Sequence, residues 1–134
     1  MICRYSPIGR GMLTGQVKSI DDLPKEDMRR HLPRFQPGNF ETNIELVHEL
    51  EKIAKQKRCT PAQLAISWVL AQSGKDGNPQ IIPIPGATTA ERVQENSRQI
   101  KFSDDELKEI KSILDKCQIV GGRYAADHSK YLEG

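Results

Sequence analysis

Ile81-Ile82-Pro83-Ile84-Pro85-Gly86-Ala87-Thr88-Thr89-Ala90-Glu91-Arg92-Val93-Gln94-Glu95-Asn96 decides how this chain is read. A short apolar run ends in Pro-Gly, passes two threonines and opens a helix with an arginine in its first turns. At a helix start the first backbone N–H groups have no partner inside the helix, and the peptide dipoles leave that end positive. Hydroxyls beside such a start, with a guanidinium on the same turn, make an anion site suited above all to phosphate. Arg92 is a planar fork there, favouring a phosphate dianion over an uncharged ribose hydroxyl. A buried contact of this kind contributes roughly 1.5–3 kcal/mol. Thr88 and Thr89 also read as caps of the same helix, a role compatible with phosphate binding.

The elements around this stretch follow from spacing. Gln80 to Ile84 is short and apolar throughout, which predicts a buried strand of a parallel sheet. The helix after it runs from Ala90 to Arg98, and Ser103-Asp104-Asp105-Glu106 is a capping box that launches another through Leu107, Ile110, Ile113, Leu114 and Cys117. Upstream, Leu46, Val47, Leu50, Ile53 and Ala54 recur at helical spacing from Asn43 to Lys57-Arg58. Thr60-Pro61-Ala62-Gln63 restarts the chain with a cap, a proline at the first helical position and a glutamine three residues beyond the cap. The helix it opens, Ala62 to Gln72, is apolar on nearly all sides and is expected to be buried, Trp68 included. Val17 to Phe40 reads as a long irregular excursion anchored by Leu32, Phe35 and Phe40, with a helical turn or two over Asp21–Arg30.

Strand alternating with helix predicts an α/β fold with a parallel sheet. Only one full strand and a stub, Met1 to Tyr5, are legible ahead of the glycine-rich turn Ser6-Pro7-Ile8-Gly9-Arg10-Gly11. Two parallel strands cannot cover both faces of a sheet, so the front of a larger fold is expected to be missing. Gly121 to Gly134 carries no core-forming pattern and reads as a surface extension.

Composition excludes several function classes. The 134 residues carry a net charge of +2 with acids and bases interspersed, which gives no warrant for nucleic-acid binding. No apolar stretch approaches the ~20 residues of a membrane span, and Met1–Pro7 has no signal-peptide core. Cys3, Cys59 and Cys117 are odd in number and far apart, so they read as free thiols in a reducing, cytoplasmic compartment, without metal-ligand spacing. His31, His48 and His128 have no convergent partners, and no metal site is expected. Lys52, Lys55, Lys57 and Arg58 read as a solvated face.

Four segments carry a resemblance. Ser6-Pro7-Ile8-Gly9-Arg10-Gly11 with Leu13-Thr14-Gly15, Thr60 to Ala71, Ile82-Pro83-Ile84-Pro85-Gly86, and Arg92-Val93-Gln94-Glu95-Asn96 together resemble the last third of an aldo/keto reductase. Within that superfamily the likeness is to fungal members of the YakC and pyridoxal-reductase-like type, and Gly122-Arg123-Tyr124 is similar to the C-terminal ends of fungal and plant members. The resemblance implies the C-terminal part of a (β/α)8 TIM barrel, truncated at the N-terminus, with residues 1–116 in the oxidoreductase domain and 117–134 as a tail. It implies NADP(H) as cofactor and an aldehyde or ketone as substrate.

Carried over by motif, Tyr5 stacks on the nicotinamide, and Ser6, Ile8 and Arg10 line the loop that grips the pyrophosphate. Ile84, Pro85 and Gly86 end the eighth strand; Ala87, Thr88 and Arg92 hold the adenosine 2′-phosphate; Glu95 and Asn96 meet the adenine. Gly86-Ala87 stands where many members carry Lys-Ser, which removes one cation and leaves more of the NADP preference to Arg92. The family's catalytic Asp, Tyr, Lys and His belong to the first half of the barrel. Nothing here matches them, so no catalytic residue is assigned and the fragment alone is expected to be inactive. The other reading, from a different class, is a non-catalytic nucleotide-binding regulatory subunit or interaction module of the same type.

Overall fold

The computed structural model describes residues 1–124. Two strands, β1 (Ile2–Tyr5) and β2 (Ile81–Ile84), pair in parallel with Tyr5 opposite Ile84. That register matters more than the strands' length. It brings the loop after Tyr5 and the loop after Ile84 to the same end of the sheet, although most of the chain separates them.

Between the strands lie α1 (Asn39–Gln56) and α2 (Pro61–Ala71); after β2 come α3 (Ala90–Ser97) and α4 (Asp104–Lys116). The capping signals act as their chemistry requires. Thr60 Oγ1 accepts the Gln63 N–H at 3.2 Å while Gln63 Oε1 accepts the Thr60 N–H at 3.1 Å. Ser103 and Glu106 close the equivalent box on α4. Removing such a cap costs about 1 kcal/mol.

Apolar side chains gather in two clusters. Leu46, Leu50 and Ile53 of α1 pack with Leu64 of α2 and Ile110 of α4. The other cluster joins Val47 and Phe40 to Met12, Val17, Leu23, Leu32 and Phe35. The stretch expected to be irregular is therefore an ordered cover, folded into three short 3-10 turns and pinned by those anchors. Its last part is already helical: α1 begins at Asn39, not near Asn43, because Gln36 O accepts the Phe40 N–H and burial of Phe40 rewards the extra turn.

Three expectations are corrected. β2 is not buried: Ile82 and Ile84 are exposed, since among the described residues each strand has a single neighbour. Burial of α2 stops at Ser67, and Trp68 to Ala71 are only half covered. Lys57 is not part of a wet face; it pairs with Glu106 across α1 and α4, its side chain 18% exposed. The segment after α4 runs at the surface and is tied down as far as Tyr124, with Gly121 O and Arg123 O accepting from Arg34 and Arg10. The buried Asn43 side chain holds Val120 twice, donating to its carbonyl at 2.9 Å and accepting its N–H at 2.8 Å. Residues 125–134 of the expected tail lie outside the described residues.

Candidate functional site

The turn after β1 is built from strained backbone. Ser6 (φ 50°) and Arg10 (φ 56°) both occupy the left-handed region, uncommon for residues with a Cβ and costing about 1–3 kcal/mol each. Hydrogen bonds hold the turn in place: Ser6 O accepts the Gly9 N–H at 3.1 Å, and Ile8 O accepts the N–H groups of Gly11 and Leu13. From the excursion, Arg29 donates to Arg10 O at 3.2 Å and is itself fixed by a 2.7 Å ion pair with Asp27. The Arg29 hydrogen bonds hold the Asp27 carboxyl down at about 2.

Facing this turn, the loop after β2 leads into α3. Thr89, not Thr88, is the cap: its Oγ1 accepts the Arg92 N–H at 3.3 Å. Asn96 turns back from α3 to donate to Gly86 O at 3.4 Å. Gln63 of α2 donates to Glu95 O at 3.1 Å, and Ser67 Oγ accepts the Ile100 N–H, so the end of α3 is tied to a buried helix. No atom lies within 4 Å of where a Cβ on Gly86 would project, which leaves open space beside the loop.

Between the two loops runs a cavity of about 630 Å³, lined by Tyr5, Ser6, Ile8, Arg10, Ile84, Gly86 and Arg92. A smaller one of about 170 Å³ adjoins it under α3, where Glu95 and Asn96 join Ile8, Gly86 and Arg92. Nine of the twelve residues carried over by motif line one or both of these cavities. Pro85, Ala87 and Thr88 do not, and Ala87 and Thr88 are exposed. Arg92 is exposed as well, and none of the ion pairs among the described residues involves it. The buried contact expected of Arg92 is thus not present in the free chain and would have to be completed by a ligand.

The cavity also has walls that sequence reasoning missed. Thr14, Gln16, Asp22 and Arg29 all come from the aperiodic stretch after the turn. Asp22 is engaged locally, accepting the N–H groups of Lys18 and Ser19, which lower its pKa. Next to the cavity, Arg123 lies 4.7 Å from the Tyr5 ring centroid, and Arg10 lies 4.4 Å from that of Tyr124. A hydrogen bond with Tyr5, followed by the charges of Arg10 and Arg123, keeps the Tyr124 phenol below its usual pKa. An Arg-Tyr pair after the last helix was the one available signal for these contacts.

Residues 1–115 match the family model described as Aldo/keto reductase family. This chain belongs to that family. Two curated relatives show how the chain maps onto it. It is 45% identical over 126 residues to "Aldo-keto reductase yakc [NADP(+)]" of Schizosaccharomyces pombe, covering 92% of this chain and 35% of that protein. It is 37% identical over 126 residues to "Aldo-keto reductase str7" of Strobilurus tenacellus, covering 92% of this chain and 36% of that protein. Among solved structures it is similar to the glycerol dehydrogenase of Gluconobacter oxydans, with a TM-score of 0.70 and 28% identity, over 88% of this chain and 35% of that one. The chain thus spans about a third of the length of the aldo/keto reductases it matches. No described helix is long and apolar enough to cross a membrane, and the described residues contain no group of three His, Cys, Asp or Glu side chains placed to hold a metal.

Proposed function

We propose that this chain is the C-terminal, cofactor-binding part of an NADP(H)-dependent oxidoreductase built on a (β/α)8 barrel, with residues 1–116 in the domain and 117–134 as its tail. The reaction of the whole enzyme is reduction of an aldehyde or ketone. The single observation that carries the reading is the 630 Å³ cavity, with Tyr5 and Arg10 on the β1 side and Arg92 on the α3 side. An aromatic ring and the guanidiniums of Arg10, Arg29 and Arg92 lining one space suit a molecule with a flat ring and phosphates. The room left by Gly86 lets such a molecule approach the backbone.

Fitted residue by residue, the Tyr5 ring supports the nicotinamide. Ser6, Ile8 and Arg10 take the pyrophosphate, the guanidinium by charge and the turn by its exposed backbone. Ile84 and Gly86 form the floor. Arg92, with Ala87 and Thr88, takes the 2′-phosphate, and Glu95 and Asn96 face the adenine. NADPH, when bound, supplies the hydride; these residues hold and orient it and contribute no proton. No catalytic residue is assigned to this chain. The name of the Schizosaccharomyces pombe relative, which includes NADP(+), supports the choice of cofactor.

The reading is tested by isothermal titration of the chain with NADPH. Saturable heat at a one-to-one ratio is expected, with the tyrosine-rich end protected from iodide quenching. A chain that folds cooperatively but gives no heat with NADPH would overturn it.

A further inference from the structure

A separate cavity of about 290 Å³ lies on the other side of Tyr5, Ser6 and Arg10, which line both it and the larger space. Four arginines reach it: Arg4 from β1, Arg10 from the turn, Arg34 from the excursion and Arg123 from the segment after α4. The rest of its wall is largely apolar, from Leu13, Leu32, Phe35, Trp68 and Val69.

None of the ion pairs among the described residues includes any of the four arginines. Their hydrogen bonds go to backbone carbonyls and use few of their donors. Arg10 donates to Arg123 O at 2.7 Å, Arg34 to Gly121 O at 3.1 Å, and Arg123 to Tyr5 O at 3.4 Å. Cation–π contacts with Tyr124 and Tyr5 account for where Arg10 and Arg123 sit, but no such contact holds Arg34. Burial, then the charges of Arg123 and Arg10, lower the pKa of Arg34. Gathering cations around a space with apolar walls is unfavourable by itself, and a single oxyanion among them would relieve that repulsion while satisfying idle N–H donors.

We propose that this cavity binds the carboxylate of a small, otherwise apolar carbonyl compound, so that the substrate class is an oxo acid with a hydrophobic body. The inference rests on the cofactor reading above only in this: Tyr5, Ser6 and Arg10 place the occupants of the two cavities side by side. Guanidinium forks around the space suit a planar carboxylate, and the Leu, Phe and Trp walls suit its carbon frame.

Trp68 lines this cavity and is the only tryptophan of the chain, so its emission is a local reporter. The chain is titrated with para-carboxybenzaldehyde and with para-methylbenzaldehyde, which has nearly the same shape and no charge. The carboxylate is expected to bind about 10-fold or more tightly, and the preference is expected to shrink with added salt. Arg34→Gln is expected to abolish the preference and Arg34→Lys to retain part of it. Arg123→Gln serves as an independent second variant with the same expected loss. Equal binding of the two aldehydes, or an unchanged preference in the Arg34 and Arg123 variants, overturns the proposal. Arg92→Ala separates the two readings, since it should weaken NADPH and leave the carboxylate preference intact. A chain that binds NADPH but does not prefer the carboxylate retires only this proposal. One that prefers the carboxylate but ignores NADPH retires only the cofactor reading.

Discussion

Replacing Arg92 with alanine tests the phosphate assignment most directly, because the structure separates what the residue does for the fold from what it does for a ligand. Arg92 is the third residue of α3; its backbone N–H is held by Thr89, while its exposed side chain takes part in no ion pair among the described residues. The substitution therefore removes no ion pair or side-chain hydrogen bond among the described residues, and stability should change by less than about 0.5 kcal/mol. A bound 2′-phosphate dianion, in contrast, would lose charge-assisted hydrogen bonds of about 1.5–3 kcal/mol, which is about 10- to 150-fold in Kd. NADH has no phosphate at that position and should change less than about 2-fold. Calorimetry with both cofactors on both chains measures the four constants. Arg92→Lys should recover only part of the loss, since it keeps the charge and loses the fork. Because a phosphate monoester dianion takes up a proton near pH 6 and loses one of its two charges, the gap between the cofactors should narrow below about pH 6. An equal loss for NADPH and NADH would refute the assignment, as would a fall in stability that accounts for the loss of binding.

Three further outcomes follow from the contacts around the site. Gly121 has φ 89°, and a Cβ there would come within 2.8 Å of Pro33 C and 2.9 Å of Arg34 N. Gly121→Ala should therefore release the segment from Val120 to Tyr124, read as faster amide exchange at Val120 and loss of the Arg123–Tyr5 contact. Asn43→Ala leaves the Arg34 and Val120 backbone groups without their partner and should cost about 1–3 kcal/mol by chemical denaturation. Asp27, held at about 2, contributes stability above its unfolded pKa that is lost as pH falls towards that value. Protection of Arg29 and Leu32 amides should accordingly decline between about pH 4 and pH 2, and Asp27→Asn should flatten that decline.

The local grammar of the chain was legible without a structure. Caps at Thr60 and Ser103, the periodicity of α1 and the apolar run of β2 depend on residues a few positions apart, and such neighbours interact whatever the rest of the chain does. The candidate site was legible for a related reason. A Pro-Gly turn, a helix start and Arg92 form one continuous segment, and the motif that marks them is read directly from the sequence. What spacing could not supply was the cover. Val17 to Phe40 has no period, so nothing in its sequence says that Leu23, Leu32 and Phe35 share a cluster with Val47.

Sequence alone determined the kinds of element, their order and the segments proposed to face a phosphate. Tertiary structure decided which segments meet. The pairing of Tyr5 with Ile84 sets two distant loops face to face, and the hold of Asn43 on Val120 carries Arg123 to Tyr5 and Arg34. Contacts of this sort depend on register and on burial contributed by many residues at once, and neither quantity is local to any stretch of the chain.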